Sequence, residues 1–117
     1  MSGEYYLKII SLDNCPYSQA TKELVKNFSI SNEIINVTSN EKEKYKTNKI
    51  NTFPQIYLKK YGRVDDLLLG GYEDLKDFMD QFYKQTYSTD KVNNFMNKYN
   101  KTWPKKSVLR LIQLINS

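Results

Sequence analysis

One side chain stands apart chemically in this sequence: Cys15, the only cysteine, set in the stretch "DNCPYSQAT" over 13–21. A thiol reacts as its thiolate, and its surroundings decide how much thiolate exists. Pro16 suits the first position of a helix, where its missing N–H costs nothing. That places Cys15 at the helix N-cap, where unpaired N–H groups and the positive end of the dipole favour an anion. Ser18, three residues on, can offer a hydroxyl or a backbone N–H to the sulfur, and it stands where a Cys-X-X-Cys pair has its second thiol. With no second cysteine, an oxidised form of this chain can hold only a mixed disulfide with an external thiol. Taken alone, "CPYS" equally describes a capped helix start with an inert, buried cysteine acting as a small hydrophobe.

Two further stretches bear on that choice. "TFP" (52–54) opens a strand, and a cis peptide at Pro54 would let the preceding backbone face outward and pair with an extended peptide. "GGYED" (70–74) sets two permissive glycines before a helix, an arrangement suited to receiving a carboxylate on N–H groups, and equally an ordinary strand-to-helix turn. Together, a thiol, a backbone edge and a carboxylate nest describe a site for a short, anionic, cysteine-bearing peptide.

The elements that must hold these groups follow from the pattern. "YYLKIISL" (5–12) is β-rich and partly alternating, a first strand. The helix from Pro16 carries Ala20, Leu24 and Phe28 at every fourth residue as its expected buried stripe. "EIINV" (33–37) is a second strand. Thr38 and Glu41 have capping-box spacing, and "SNEKEKYKTNK" fits a charged, solvated helix. "NTFPQIYLKK" gives a strand opened by Pro54, which belongs at a strand start rather than in a ladder. A turn at Gly62 and "LLL" (67–69) complete a hairpin. In "YEDLKDFMDQFYKQ", Leu75, Phe78, Met79 and Phe82 follow helical spacing, with Glu73 and Asp74 in the first turn. The order β-α-β-α-β-β-α predicts a first parallel pair with a right-handed crossover, then an antiparallel pair. The expected fold class is α/β: a four-stranded mixed sheet with helices on both faces, over residues 1–88.

Residues 89–117 read as a basic helical extension, packed on that domain or on a partner. "TDKVNNFMNKYN" and "PKKSVLRLIQLI" are both helical in pattern, and the second is apolar over a wide arc: Val108, Leu111, Ile112 and Ile115 in one stripe, Leu109 and Leu114 beside it. The net charge of +5 lies wholly here. Residues 1–88 balance 12 Lys and Arg against 12 Asp and Glu, whereas the tail sets six cations against Asp90. Such charge most often solvates an outer helix face, so no nucleic-acid partner is required. The absence of histidine removes His-based acid–base chemistry and most zinc sites. No apolar run reaches the roughly 18 residues of a membrane span, and the polar start does not look like a secretion signal. One cysteine gives no argument for an oxidising compartment, so a cytoplasmic location is expected.

In this order and spacing, Cys15-Pro16-Tyr17-Ser18, Thr52-Phe53-Pro54 and Gly70-Gly71-Tyr72-Glu73-Asp74 resemble the glutaredoxin family over about residues 5–86. The resemblance implies a thioredoxin-like fold with glutathione as the peptide. It implies Cys15 as nucleophile, with Pro16, Tyr17 and Ser18 completing the active-site turn and Tyr17 lining the groove. Phe53, before Pro54, would pair through its backbone with the glutathionyl cysteine. Gly71, Tyr72 and Glu73 would receive the γ-glutamyl end, the N–H groups of Tyr72 and Glu73 taking its carboxylate. Family members commonly carry Lys or Arg three residues before the nucleophile; here that residue is Leu12, and Lys49 is the candidate substitute charge. The hairpin after "QIYL" is longer than usual for the family, and the tail lies beyond the usual domain.

The leading reading is a monothiol oxidoreductase that reduces glutathione mixed disulfides of proteins or small thiols, as a monomer. One alternative is a [2Fe–2S] carrier in which two chains each give Cys15 and a bound glutathione, although "CPYS" is closer to the oxidoreductase branch. Another is a weakly active adaptor that binds through its basic tail.

Overall fold

The structure, a computed structural model, describes residues 4–98 and 102–117. Strand β1 (Tyr5–Leu12) leads into helix α1 (Pro16–Asn27), then β2 (Asn32–Val37), β3 (Gln55–Lys60), β4 (Asp66–Gly70), α2 (Tyr72–Phe82), α3 (Thr89–Lys98) and α4 (Lys105–Ile115). The sheet order is β2-β1-β3-β4. β1 pairs parallel with β2 and antiparallel with β3, and β3 pairs antiparallel with β4. The parallel pair needs a crossover, which α1 supplies; the antiparallel pair needs a tight turn, which Gly62 supplies at φ 78°. The expected thioredoxin-like mixed sheet is therefore present, with a C-terminal helical extension.

Alternation along the strands divides the sheet into two unlike faces. Leu7 and Ile9 of β1, Ile56 and Leu58 of β3 and Leu69 of β4 are buried in one apolar cluster with Val25 of α1, Leu75, Phe78, Met79 and Phe82 of α2, and residues of α3 and α4. The opposite face, with Lys8, Ile10, Gln55 and Tyr57, meets the segment after β2 instead. There the helix expected over 39–49 is reduced to a 3₁₀ turn at Lys42–Tyr45. Thr38 still donates its N–H and hydroxyl to Glu41 Oε1, at 3.3 and 3.0 Å. The residues that follow have no apolar stripe to bury, so the cap has no helix to start. Buried Gln55 ties the segment down, its Nε2 donating to the Tyr45 carbonyl at 2.8 Å.

The stripe on α1 also differs from expectation. Ser18, Thr21 and Val25 are buried, Ala20 and Leu24 are half-buried, and Phe28 is exposed. A four-residue step drifts by about 40° per repeat on a helix, so Ala20, Leu24 and Phe28 do not share one line. Phe28 lies past the helix end and packs edge-on against Tyr83 at 4.5 Å. The inward line is polar because its hydroxyls have partners: Ser18 Oγ accepts the Leu12 N–H at 3.0 Å, and Thr21 Oγ1 donates to the Tyr17 carbonyl at 2.9 Å.

The helices of the tail close the apolar face. Phe95 of α3 packs edge-on against Phe78 and Phe82 at 5.4 and 5.3 Å, and Trp103 lies 5.9 Å from Phe78. Val108, Leu111, Ile112, Leu114 and Ile115 of α4 are all buried. Asn116 then fastens the end of the chain to the end of α2, accepting the Lys84 N–H at 2.6 Å and donating to the Phe82 carbonyl at 3.0 Å. The helix expected over 89–100 is described as far as Lys98; its last two positions lie outside the described residues. No helix among the described residues is long and apolar enough to cross a membrane.

Candidate active site

Three turns at one end of the sheet build the site. The first follows β1: Asn14 takes φ 61°, a conformation Asn tolerates, and Cys15 in extended geometry caps α1 ahead of Pro16. The Gln19 N–H bonds the Cys15 carbonyl at 3.0 Å, fixing the first helical turn. The second turn enters β3 through a cis peptide at Phe53–Pro54. It brings the Phe53 carbonyl to 3.7 Å from Cys15 Sγ, and the thiol donates to it. The third joins β4 to α2. A Cβ on Gly71 would stand 3.6 Å from the Pro54 carbonyl, so the start of α2 abuts the cis-proline turn. Tyr17, 58% exposed, faces Tyr72 with ring centroids 6.1 Å apart, closing the side between α1 and α2. Cys15, Phe53, Pro54, Gly71, Tyr72 and Tyr17 are thus gathered around one half-buried thiol.

Ser18 serves the backbone of the turn. Its hydroxyl is buried and accepts the Leu12 N–H, which ties β1 to α1 beneath the thiol. Glu73 is exposed on the first turn of α2, and the acid engaged with that turn is its neighbour: Asp74 Oδ2 accepts the Gly71 N–H at 2.9 Å. The sequence motif assigns Asp74 no role of its own in the site, although an acid three residues after a Gly N-cap is a capping signal. Gly70, at φ 125°, passes so close to that carboxylate that a Cβ there would collide with Asp74 Oδ2.

Lys49 lines a cleft of about 380 Å3 with Tyr57, Asp66 and Leu68. The cleft at the thiol, about 490 Å3, is lined by Leu12, Asp13, Asn14, Cys15, Pro16, Gln19 and Lys22. Lys22 is therefore the cation that shares the thiol's cleft, its Nζ donating to Asn36 Oδ1 at 3.1 Å. Its spacing from Cys15 and Gln19 (i, i+4, i+7) was the available signal. Among the described residues no cluster of three or more Cys, Asp or Glu side chains could hold a metal ion.

Residues 4–61 match the family model for glutaredoxin. The chain carries a glutaredoxin-family domain over that stretch. The matched stretch holds "CPYS" and "TFP" and stops short of "GGYED", so the third turn is joined to the other two by the structure. A crystal structure titled glutaredoxin 1 from Francisella tularensis complexed with cacodylate superposes with a TM-score of 0.54 at 22% identity, over 69% of this chain and 99% of that one. Identity at that level speaks for the fold. The comparison with curated proteins gives no match. As a glutaredoxin, the chain is of the thiol-oxidoreductase type, in a family that uses glutathione as co-substrate.

Proposed function

We propose that this glutaredoxin reduces glutathione mixed disulfides by a monothiol route through Cys15. The observation that carries the reading is the convergence of the single thiol with the Phe53–Pro54 turn and the start of α2. A glutathionyl group would lie along that groove. Its cysteine backbone would pair with Phe53, its γ-glutamyl carboxylate would meet the N–H groups of Tyr72 and Glu73, and its peptide would rest against Tyr17. An anion at the start of α2 is favoured by the unpaired N–H groups there.

In the first step the Cys15 thiolate attacks the glutathionyl sulfur of a mixed disulfide. A Cys15–glutathione disulfide forms, the old S–S bond breaks, and the substrate leaves as a thiolate that takes a proton from water. In the second step a glutathione thiolate attacks the adduct, releasing oxidised glutathione and restoring the Cys15 thiolate. Over the two exchanges one added glutathione and the glutathionyl group taken from the substrate end as oxidised glutathione, the substrate leaves as a free thiol, and no second protein thiol takes part. Ser18 supports the turn and has no role in either exchange.

Turnover of a glutathione–mercaptoethanol mixed disulfide is the test. Cys15→Ser is expected to abolish it while Ser18→Ala retains it. Appreciable turnover in the Cys15→Ser protein would sink the mechanism.

A further inference from the structure

We propose that the cleft between the β3–β4 hairpin and α4 binds a small phosphate-bearing anion, at a site separate from the thiol. The cleft measures about 480 Å3 and receives cations from two directions: Lys60 and Arg63 from the hairpin, Lys106 and Arg110 from α4. Lys60 Nζ and the Arg110 guanidinium rest on the same Tyr5 ring, 5.7 and 6.0 Å from its centroid. Like charges brought onto one ring repel each other unless an anion lies between them. Two carboxylates, Asp65 and Asp66, also line the cleft and leave four cations against two acids, with Asp66 shared with Lys8 at 3.9 Å. Among the described residues none of the four cations is held in an ion pair.

Arg110 brings a guanidinium to the cleft wall, the planar fork that fits phosphate oxygens best. Its Nη1 donates to Gln113 Oε1 at 3.3 Å and its Nε is buried, so a ligand in the cleft would be met by the remaining Nη donors. The second guanidinium, Arg63, sits on the hairpin side of the same cleft. The opening turn of α4 adds the backbone N–H groups of Lys105 and Lys106, which precede the first bonds to the Pro104 carbonyl. The volume exceeds that of a single phosphate and suits a diphosphate or a nucleotide. Arg63, Lys106 and Arg110 all lie outside the stretch matched by the glutaredoxin family, in the long hairpin and the basic tail.

Calorimetric titration of the full chain with inorganic pyrophosphate, with ADP and with a short single-stranded oligonucleotide tests the assignment. Arg63→Gln and Lys106→Gln change exposed side chains, and unchanged thermal melts would confirm that both variants fold. Expected are one pyrophosphate per chain, binding that weakens as salt is raised, and at least tenfold weaker binding in each variant. ADP binding tenfold tighter than pyrophosphate would name a nucleotide, and equal binding would name the phosphates alone; both support the site. No pyrophosphate binding, binding unchanged in both variants, or an equal response to sulfate would overturn it. Tighter binding of the oligonucleotide, lost in the same variants, would replace the small anion with a nucleic-acid backbone.

Discussion

The junction of β4 with α2 yields a quantitative prediction through Gly70→Ala. At φ 125° a non-glycine residue is strained, at a cost on the order of 1–3 kcal/mol. The new methyl would also displace the Asp74 carboxylate from the Gly71 N–H, removing a helix cap worth about 1 kcal/mol. The two effects together give a loss of about 3 kcal/mol, or roughly 12 °C in melting temperature for a domain of this size. Asp74→Ala removes the cap alone and should cost about 1 kcal/mol. Because the methyl has no carboxylate to displace once Asp74 is gone, the double variant should be more stable than the sum of the single losses implies, by about 1 kcal/mol. Urea denaturation of the four proteins measures this directly. Strict additivity, or a Gly70→Ala loss below about 1 kcal/mol, would refute the proposed link between Gly70 and Asp74.

Three further outcomes are expected. Ser18→Ala should lose about 1–2 kcal/mol in denaturant, since the buried Leu12 N–H loses its acceptor. Leu111→Ala, at a fully buried position on α4, should cost about 2–5 kcal/mol in the same measurement; a loss near zero would show that the tail is not part of the core. The Thr38 bonds hold the Glu41 carboxyl below the usual carboxylate range. Its stabilisation should therefore be complete above the unfolded-state value and disappear as pH falls through the lower folded-state value. The stability gap between wild type and Glu41→Gln, followed by acid titration, should close in that direction.

Much of the fold is legible because burial and periodicity agree. Leu7 and Ile9 of β1 and Ile56 and Leu58 of β3 stand at alternate positions on the buried face, and Leu75, Phe78, Met79 and Phe82 mark the inward face of α2 without ambiguity. Where polar residues turn inward, the pattern misleads. Ser18 and Thr21 lie off the Ala20, Leu24 and Phe28 stripe expected for α1, and the Leu12 N–H and Tyr17 carbonyl that they meet explain their burial. The segment after Thr38 shows the reverse failure: a true capping signal followed by charged residues that no surface needs to bury. In the site, Cys15, Phe53, Pro54, Gly71 and Tyr72 can be found from three short motifs. Asp74 and Lys22 carry only local signals, a capping spacing and a helical step from Cys15, and their roles depend on how close Gly70 and Cys15 lie to them. The placement of Lys49 beside Tyr57 and Asp66 likewise depends on the path of the chain after its 3₁₀ turn.

The central claim is that Cys15 accepts and returns one glutathione without a second protein thiol. Intact mass of the protein after mixing with oxidised glutathione, and again after adding reduced glutathione, tests it most directly. A single adduct per chain, mapped to Cys15, is expected to form and to persist until reduced glutathione removes it. No adduct at Cys15, or an adduct that reduced glutathione leaves in place, would contradict it.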